Sequence, residues 1–304
     1  MLYPPITVHD TVHSVMRHPA FDGRGKLLLP WDDEKRYAKG MTMEDMPRLH
    51  LWHTNMDAQQ MVDGVNRLID DCNSGQKIIY DFYSDEQKEK DPTKRDTGLF
   101  FLRGKPDAPF AVISAGGGFC YVGSLHEGFP LAMEINKHGY NAFVLKYRVN
   151  LGESVSAQDL AEAVNFIIGN AKKLRVAERD YSLWGGSAGA RISSAVSYGE
   201  MGFHRPHLLH PAAVIMAYTT YAGEPDFSSD DPAGFMIVGT NDWIVPANHV
   251  KDRARRMAMA GIATECIVLP SVAHGFAVGK NMAAEGWMDK AIVFWERQMG
   301  GQGA

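Results

Sequence analysis

Residues 181–194 read YSLWGGSAGARISS and place Gly185, Ser187 and Gly189 in the spacing G-x-S-x-G. Tyr181, Leu183 and Trp184 have strand character, and the residues after Gly189 have helical spacing, so the serine is expected on a sharp strand-to-helix turn. Such a turn lifts a hydroxyl above a sheet, and glycines flank it because side chains there would clash with the neighbouring strand and helix. It also leaves the Ala188 amide at a helix N-terminus, where it can donate to a developing oxyanion. The pentapeptide alone carries little weight. With glycine near its usual frequency of roughly 7%, three fixed positions arise by accident in about one chain in ten of this length.

A serine hydroxyl attacks an acyl carbon only when an imidazole takes its proton, and an acid must hold that imidazole in the right tautomer. Both are expected downstream. The run GFMIVG is followed by TNDWIVP, which puts Asp242 just past a buried strand end. The run ECIVLP is followed by SVAHGF, which puts His274 in the corresponding loop of the next strand. Asp226, Asp230 and Asp231 are reserve candidates for the acid. His249 lies only seven residues after Asp242, inside a predicted helix after Pro246, and is set aside. The second half of an oxyanion hole is expected after FAVIS, where AGGGF spans residues 115–119. Three consecutive glycines let the backbone turn its amides toward a ligand, and Gly117 and Gly118 are the candidate donors. With base and acid already assigned to Ser187, Cys120 reads as a buried or wall residue.

The elements that must hold these residues alternate. From about Ile78 onward the strand runs KIIYDFYS, TGLFFLRG, FAVISA, AFVLKYRV, YSLWGG, AAVIMAY, GFMIVG and ECIVLP are interleaved with predicted helices at about 125–138, 156–174, 188–200, 247–260 and 282–299. This is the pattern of an α/β domain with a largely parallel sheet. The second helix carries Leu160, Val164, Ile167 and Ala171 on one stripe. The first two runs are joined by DEQKEKDPTKRD, read as a solvated loop of an antiparallel hairpin. Residues 1–77 differ: prolines, histidines, tryptophans and methionines in irregular order precede one helix, MDAQQMVDGVNRLIDD, with Met61, Val65 and Leu68 on a common face. That is too little for an independent core, so residues 1–77 are expected to be an extension on a catalytic domain of residues 78–304.

These motifs together resemble the α/β-hydrolase superfamily, specifically its esterase/lipase branch with a Gly-Gly-Gly oxyanion loop, which includes hormone-sensitive-lipase-like esterases and bacterial carbohydrate acetyl esterases. The resemblance covers roughly residues 78–300. It rests on AGGGF, on Glu127 and Pro130 in E-x-x-P, and on GYNAFVLKYR, GGSAG, GTNDWIVP and AHGF. It implies a mostly parallel central sheet flanked by helices, with the order Ser187, Asp242, His274 as triad and Gly117, Gly118 and Ala188 as oxyanion donors. It implies a serine esterase that cleaves small acyl esters, acetylated sugars included, through an acyl-enzyme. In these families the first position of the glycine loop is often His or Pro; here it is Ala115, which loses a bracing side chain rather than a donor.

Hormone-sensitive-lipase-like or not, hydrolases of this fold commonly cover the nucleophile with an inserted cap, yet Thr219 to Gly234 is too short to hold one. The extension supplies Met41, Met43, Met46, Leu51, Trp52 and Met56 within sixteen residues, an adaptable apolar set. It fits a lid over the acyl pocket and equally a plug against a hydrophobic sheet edge. Trp52 and Phe119 are the candidate substrate-binding residues.

Bulk properties narrow the remaining classes. The chain has 304 residues, 45% of them hydrophobic, as in an ordinary globular protein, and a formal charge of −5 that offers no basic stripe for nucleic acid or anionic membrane. No run reaches the length of a membrane span. The start has no basic segment followed by an apolar run, and three cysteines, Cys72, Cys120 and Cys266, are an odd number, so a cytoplasmic enzyme is expected. His204, His207 and His210 in HRPHLLH lack a completing ligand set and are broken by Pro206 and Pro211, so no metal is expected, and no cofactor. A homo-oligomer is left open. Two rival functions remain: an amidase or small-peptide hydrolase on the same triad, and a non-catalytic ligand receptor on a hydrolase scaffold.

Overall fold

The computed structural model describes residues 2–49, 52–200, 209–221, 223 and 225–300. Their strands are β1 (Ile79–Tyr80), β2 (Gly98–Leu102), β3 (Phe110–Ser114), β4 (Asn141–Lys146), β5 (Ser182–Gly186), β6 (Ala213–Ala217), β7 (Ala233–Gly239) and β8 (Thr264–Leu269). They form one sheet in the order β1-β2-β4-β3-β5-β6-β7-β8. β2 runs antiparallel to β1 and β4, and every other pairing is parallel. The α-helices are α1 (Val12–Met16), α2 (Ala58–Asn73), α3 (Asp85–Lys90), α4 (Phe129–Lys137), α5 (Glu153–Gly169), α6 (Ala171–Leu174), α7 (Ala188–Tyr198), α8 (Ala247–Met259) and α9 (Trp287–Gln298).

The central strands read as unbroken apolar runs because both sheet faces are covered. Along β3, Ala111 and Ile113 join a core with Phe129 of α4 and Trp295 of α9, while Phe110 and Val112 join one with Leu160 of α5, Ile192 of α7 and Met257 of α8. The alternation follows from successive side chains pointing to opposite faces. This is the α/β architecture expected above.

One expectation needs correction. The charged segment between the first two strands is not an unstructured loop. Ser84 accepts from the Gln87 amide while the Gln87 side chain accepts from the Ser84 amide, a capping box that starts α3, and Pro92 begins a 3₁₀ turn to Asp96. Asp91 then pairs with Arg148 at 2.9 Å, so the run is partly tied to the domain.

For the methionines of the extension, the sequence leaves both a lid and a plug against the sheet as open readings. Met43 and Met46 are fully buried in the same cluster as the sheet residues Ile113 and Trp184, and Met41 and Met56 pack against it. They are core, not pocket wall; Leu51 lies outside the described residues. The extension's long helix α2 begins at Asp57, which caps the amides of Gln59 and Gln60, and buries Met61, Val65 and Leu68 in that core. Buried Lys146 of β4 fastens the extension further: its ammonium donates to Leu29 O at 2.8 Å and pairs with Asp32 at 2.9 Å.

Candidate active site

β5 ends in two glycines and α7 starts at Ala188, so Ser187 turns the chain through φ +50° and ψ −120°. A non-glycine residue held there stores about 1–3 kcal/mol of backbone strain that the surroundings must offset. Those surroundings leave no space: a Cβ on Gly185 would lie 2.3 Å from the Ala190 amide nitrogen, and one on Gly189 would lie 1.8 Å from Ser114 O. The elbow is tied to the next strand, with the Ser187 amide donating to Ala217 O at 2.9 Å and the Thr219 hydroxyl to Ser187 O at 2.7 Å.

The other expected partners converge on that serine. His274 Nε2 lies 3.0 Å from Ser187 Oγ, and His274 Nδ1 lies 2.8 Å from Asp242 Oδ2. The second Asp242 oxygen accepts the amides of Ile244 at 2.9 Å and Val245 at 2.8 Å, which fixes the carboxylate. The Asp242 and His274 side chains are both buried. Asp231 instead turns to the Ser228 amide, and His249 is exposed on α8. An imidazole between a hydroxyl and an anchored carboxylate can take the hydroxyl proton and return it to a leaving group.

Facing the elbow, the glycine loop follows β3. Gly117 has φ +143° and Gly118 φ +57°, and a Cβ on Gly117 would lie 2.1 Å from Tyr121 O. Phe119, half-buried, continues at φ +60°. Among the described residues the amides of Gly117, Gly118 and Ala188 have no acceptor in the protein, as donors reserved for a ligand would. Cys120, expected as a buried or wall residue, is exposed, with its thiol 3.4 Å from Gly118 O. Of the histidine cluster, His210 sits 3.2 Å from Asp230 O, while His204 and His207 lie outside the described residues.

Two exposed rings stand beside these groups. Trp52 is 44% exposed and lies directly over Gly118, where a Cβ would meet the indole at 1.7 Å. Trp243, 62% exposed, stands 6.2 Å from the His274 ring, and sequence reasoning missed it although it follows Asp242 directly.

Beneath the glycine loop lies a buried polar group the sequence indicated only as part of E-x-x-P. Glu127 accepts from the Gly116 amide and the Tyr218 hydroxyl, and its carboxylate is 3.4 Å from His53 Nε2. Burial alone would push the Glu127 carboxyl up, but the facing His53, the Tyr218 hydroxyl and the Gly116 amide outweigh it and hold it below its ordinary value. Burial, with the adjacent carboxylate, pushes the Tyr218 phenol far up, so it stays a donor.

Comparison with known proteins agrees with this architecture. The BD-FAE family model matches residues 103–204, from the end of β2 through the elbow and α7 but short of Asp242 and His274. The chain is 26% identical over 214 residues to endo-1,4-beta-xylanase B of Butyrivibrio fibrisolvens, covering 58% of this chain and 34% of that one. It is 30% identical over 98 residues to an acetylxylan esterase of Xylanibacter ruminicola, covering 32% of this chain and 20% of that one. The chain thus spans about a third or less of the length of these relatives. Among solved structures, esterase 2 of Thermogutta terrifontis superposes with a TM-score of 0.61 at 19% identity, over 72% of this chain and 93% of that one. MGS-M1, an α/β hydrolase from a Medee basin deep-sea metagenome library, gives 0.59 at 20%, over 66% and 92%. In its sheet, its elbow and the order of its serine, aspartate and histidine, the chain has the α/β-hydrolase fold.

Proposed function

We propose that the protein is a serine carboxylic ester hydrolase acting on small acyl esters, with acetylated sugars as the first natural class to test. The observation that carries this reading is the 3.0 Å approach of His274 Nε2 to Ser187 Oγ with Asp242 anchored behind the ring. Ser187 Oγ attacks the acyl carbon as its proton passes to His274 Nε2. The carbonyl oxygen becomes an oxyanion held by the amides of Gly117, Gly118 and Ala188. The tetrahedral species collapses as His274 returns the proton to the departing alkoxide, leaving an acyl-serine and a free alcohol. Water repeats the sequence, giving up a proton to His274 as it attacks and releasing the acid and the serine hydroxyl. The acetylxylan esterase relative supports the sugar class without extending over this whole chain.

A fluorophosphonate probe tests the reading: Ser187 is expected to be the labelled residue, and a silent serine would favour a receptor. p-Nitrophenyl esters from acetate to octanoate, acetylated xylo-oligosaccharides and anilides then separate esterase from amidase. Anilide turnover above ester turnover would reverse the assignment.

The oxyanion loop has its own signature. Gly117→Val forces a β-branched residue into φ +143° and against Tyr121 O, turning an amide away. The expected result is a loss of about 3 kcal/mol of transition-state stabilisation, read as a fall in kcat with KM nearly unchanged. A pure KM effect would assign the loop to the pocket wall.

Trp52 is the part of the extension that suits a wall of the acyl pocket. Half-exposed over Gly118, it lacks the burial that would make its truncation cost about 3–5 kcal/mol of stability. Trp52→Ala is expected to raise KM and shift the chain-length preference while the melting temperature barely moves. An early melt with a wild-type chain-length profile would make the residue structural.

A further inference from the structure

His53 stands where the N-terminal extension meets both catalytic loops. Its side chain is buried, with Nε2 3.4 Å from Glu127 and Nδ1 3.1 Å from His126 Nε2. Glu127 holds the Gly116 amide, the residue preceding the two candidate oxyanion donors, and lies so close under the elbow that a Cβ on Gly186 would reach its carboxylate at 2.0 Å. On its other side His53 packs on Gly275, whose φ is +69° and whose Cβ would lie 2.6 Å from His53 Cα. The next residue completes the contact: the Thr54 hydroxyl donates to His274 O at 2.8 Å and the Thr54 amide to Gly275 O at 3.0 Å.

We propose that His53 is a positioning residue of the active site: its Nε2, 3.4 Å from the carboxylate, pairs with Glu127, Glu127 sets the glycine loop, and the same segment clamps the loop bearing His274. The inference rests on the ester-hydrolase reading for its substrate but not for its geometry. Two hydrogen-bonding arrangements satisfy the His53–His126 contact. Either His53 donates through Nδ1 and carries a second proton on Nε2, or it accepts at Nδ1 as the neutral tautomer protonated on Nε2. A bare Nε2 against the carboxylate would set two lone pairs facing, so both arrangements leave a proton on Nε2, which meets Glu127 across a 3.4 Å contact without hydrogen-bond geometry. Without that partner a buried carboxylate loses its counterpart and must move or take up a proton, and the Gly116 amide moves with it. Here Ala115 stands where related loops carry His or Pro, and Glu127 with the Tyr147 hydroxyl, which donates to Ala115 O at 2.7 Å, supplies the bracing.

His53→Leu fills the volume without an N–H, and His53→Gln retains an N–H directed at Glu127. A displacement of about 1 Å at a reacting geometry costs on the order of a hundredfold in rate. His53→Leu is therefore expected to lower kcat for p-nitrophenyl acetate about tenfold to a hundredfold, with KM within about twofold of wild type. His53→Gln should regain a clear part of the loss. The rate of Ser187 labelling by a fluorophosphonate should fall in parallel, because phosphonylation develops charge on the same donors and needs no turnover. Wild-type protein that is labelled but inert to esters would defeat the ester reading while leaving this comparison intact. Labelling at the wild-type rate in His53→Leu, or equal losses in the leucine and glutamine variants, would overturn the positioning role, as would a lower melting temperature with unchanged kinetics. Should His53→Leu not fold, His53→Asn, which shortens the reach to Glu127, takes its place under the same criteria.

Discussion

Ser187→Ala is expected to lower kcat for ester hydrolysis on the order of a millionfold while leaving the protein folded. Alanine removes the hydroxyl oxygen proposed to bond to the acyl carbon, and no other nucleophile stands 3.0 Å from His274 Nε2 among the described residues. The backbone at φ +50° is no more strained by alanine than by serine, since both carry a Cβ, and the elbow's ties to Ala217 and Thr219 use main-chain atoms that the change keeps. Steady-state kinetics beside a thermal melt separate the two effects. A variant that keeps a tenth of wild-type turnover would remove Ser187 from the mechanism.

The second large loss is expected at the acid. Asp242→Asn preserves shape, and the amide oxygen can still accept from Ile244 and Val245. That leaves the amide NH₂ where Oδ2 now faces His274 Nδ1 at 2.8 Å. A donor there requires Nδ1 to accept, which moves the imidazole proton to Nε2, and a protonated Nε2 cannot receive the serine proton. The expected fall in kcat is on the order of ten-thousandfold with the fold unchanged. A near-normal Asp242→Asn together with an inactive variant at Asp226, Asp230 or Asp231 would transfer the acid's role.

The parts of the site that could be read from the sequence are those that follow strand ends. Asp242 and His274 each come directly after an apolar run, and the structure brings both to Ser187 because parallel strands deliver their C-terminal loops to one edge of the sheet. Contacts made across long stretches of chain left no such trace. Nothing local marks His53 as the partner of Glu127, 74 positions on, or Thr54 as a tether of His274, 220 positions away. The methionine-rich stretch left two readings open for a different reason: Met43 and Met46 have the same composition whether they line a pocket or fill a core, and only their burial separates the two. The charged segment before β2 hid a helix because the capping pair Ser84 and Gln87 sits among residues whose charges suggest solvent.

The strand order itself decides where a ligand can sit. From β3 the chain passes through α4 to β4 on one side of β3, then through α5 back across to β5 on the other. α4 lies on one face of the sheet and α7 on the opposite face, so the segments leaving β3 and β5 part company at their carboxyl ends. Adjacent strands whose exits diverge open a crevice at that topological switch point, with no loop to fill it. The glycine loop leaves β3 and the serine elbow leaves β5 at this switch point. The place where Ser187, Asp242 and His274 meet is therefore set by the path of the chain through the sheet before any of these side chains is chosen.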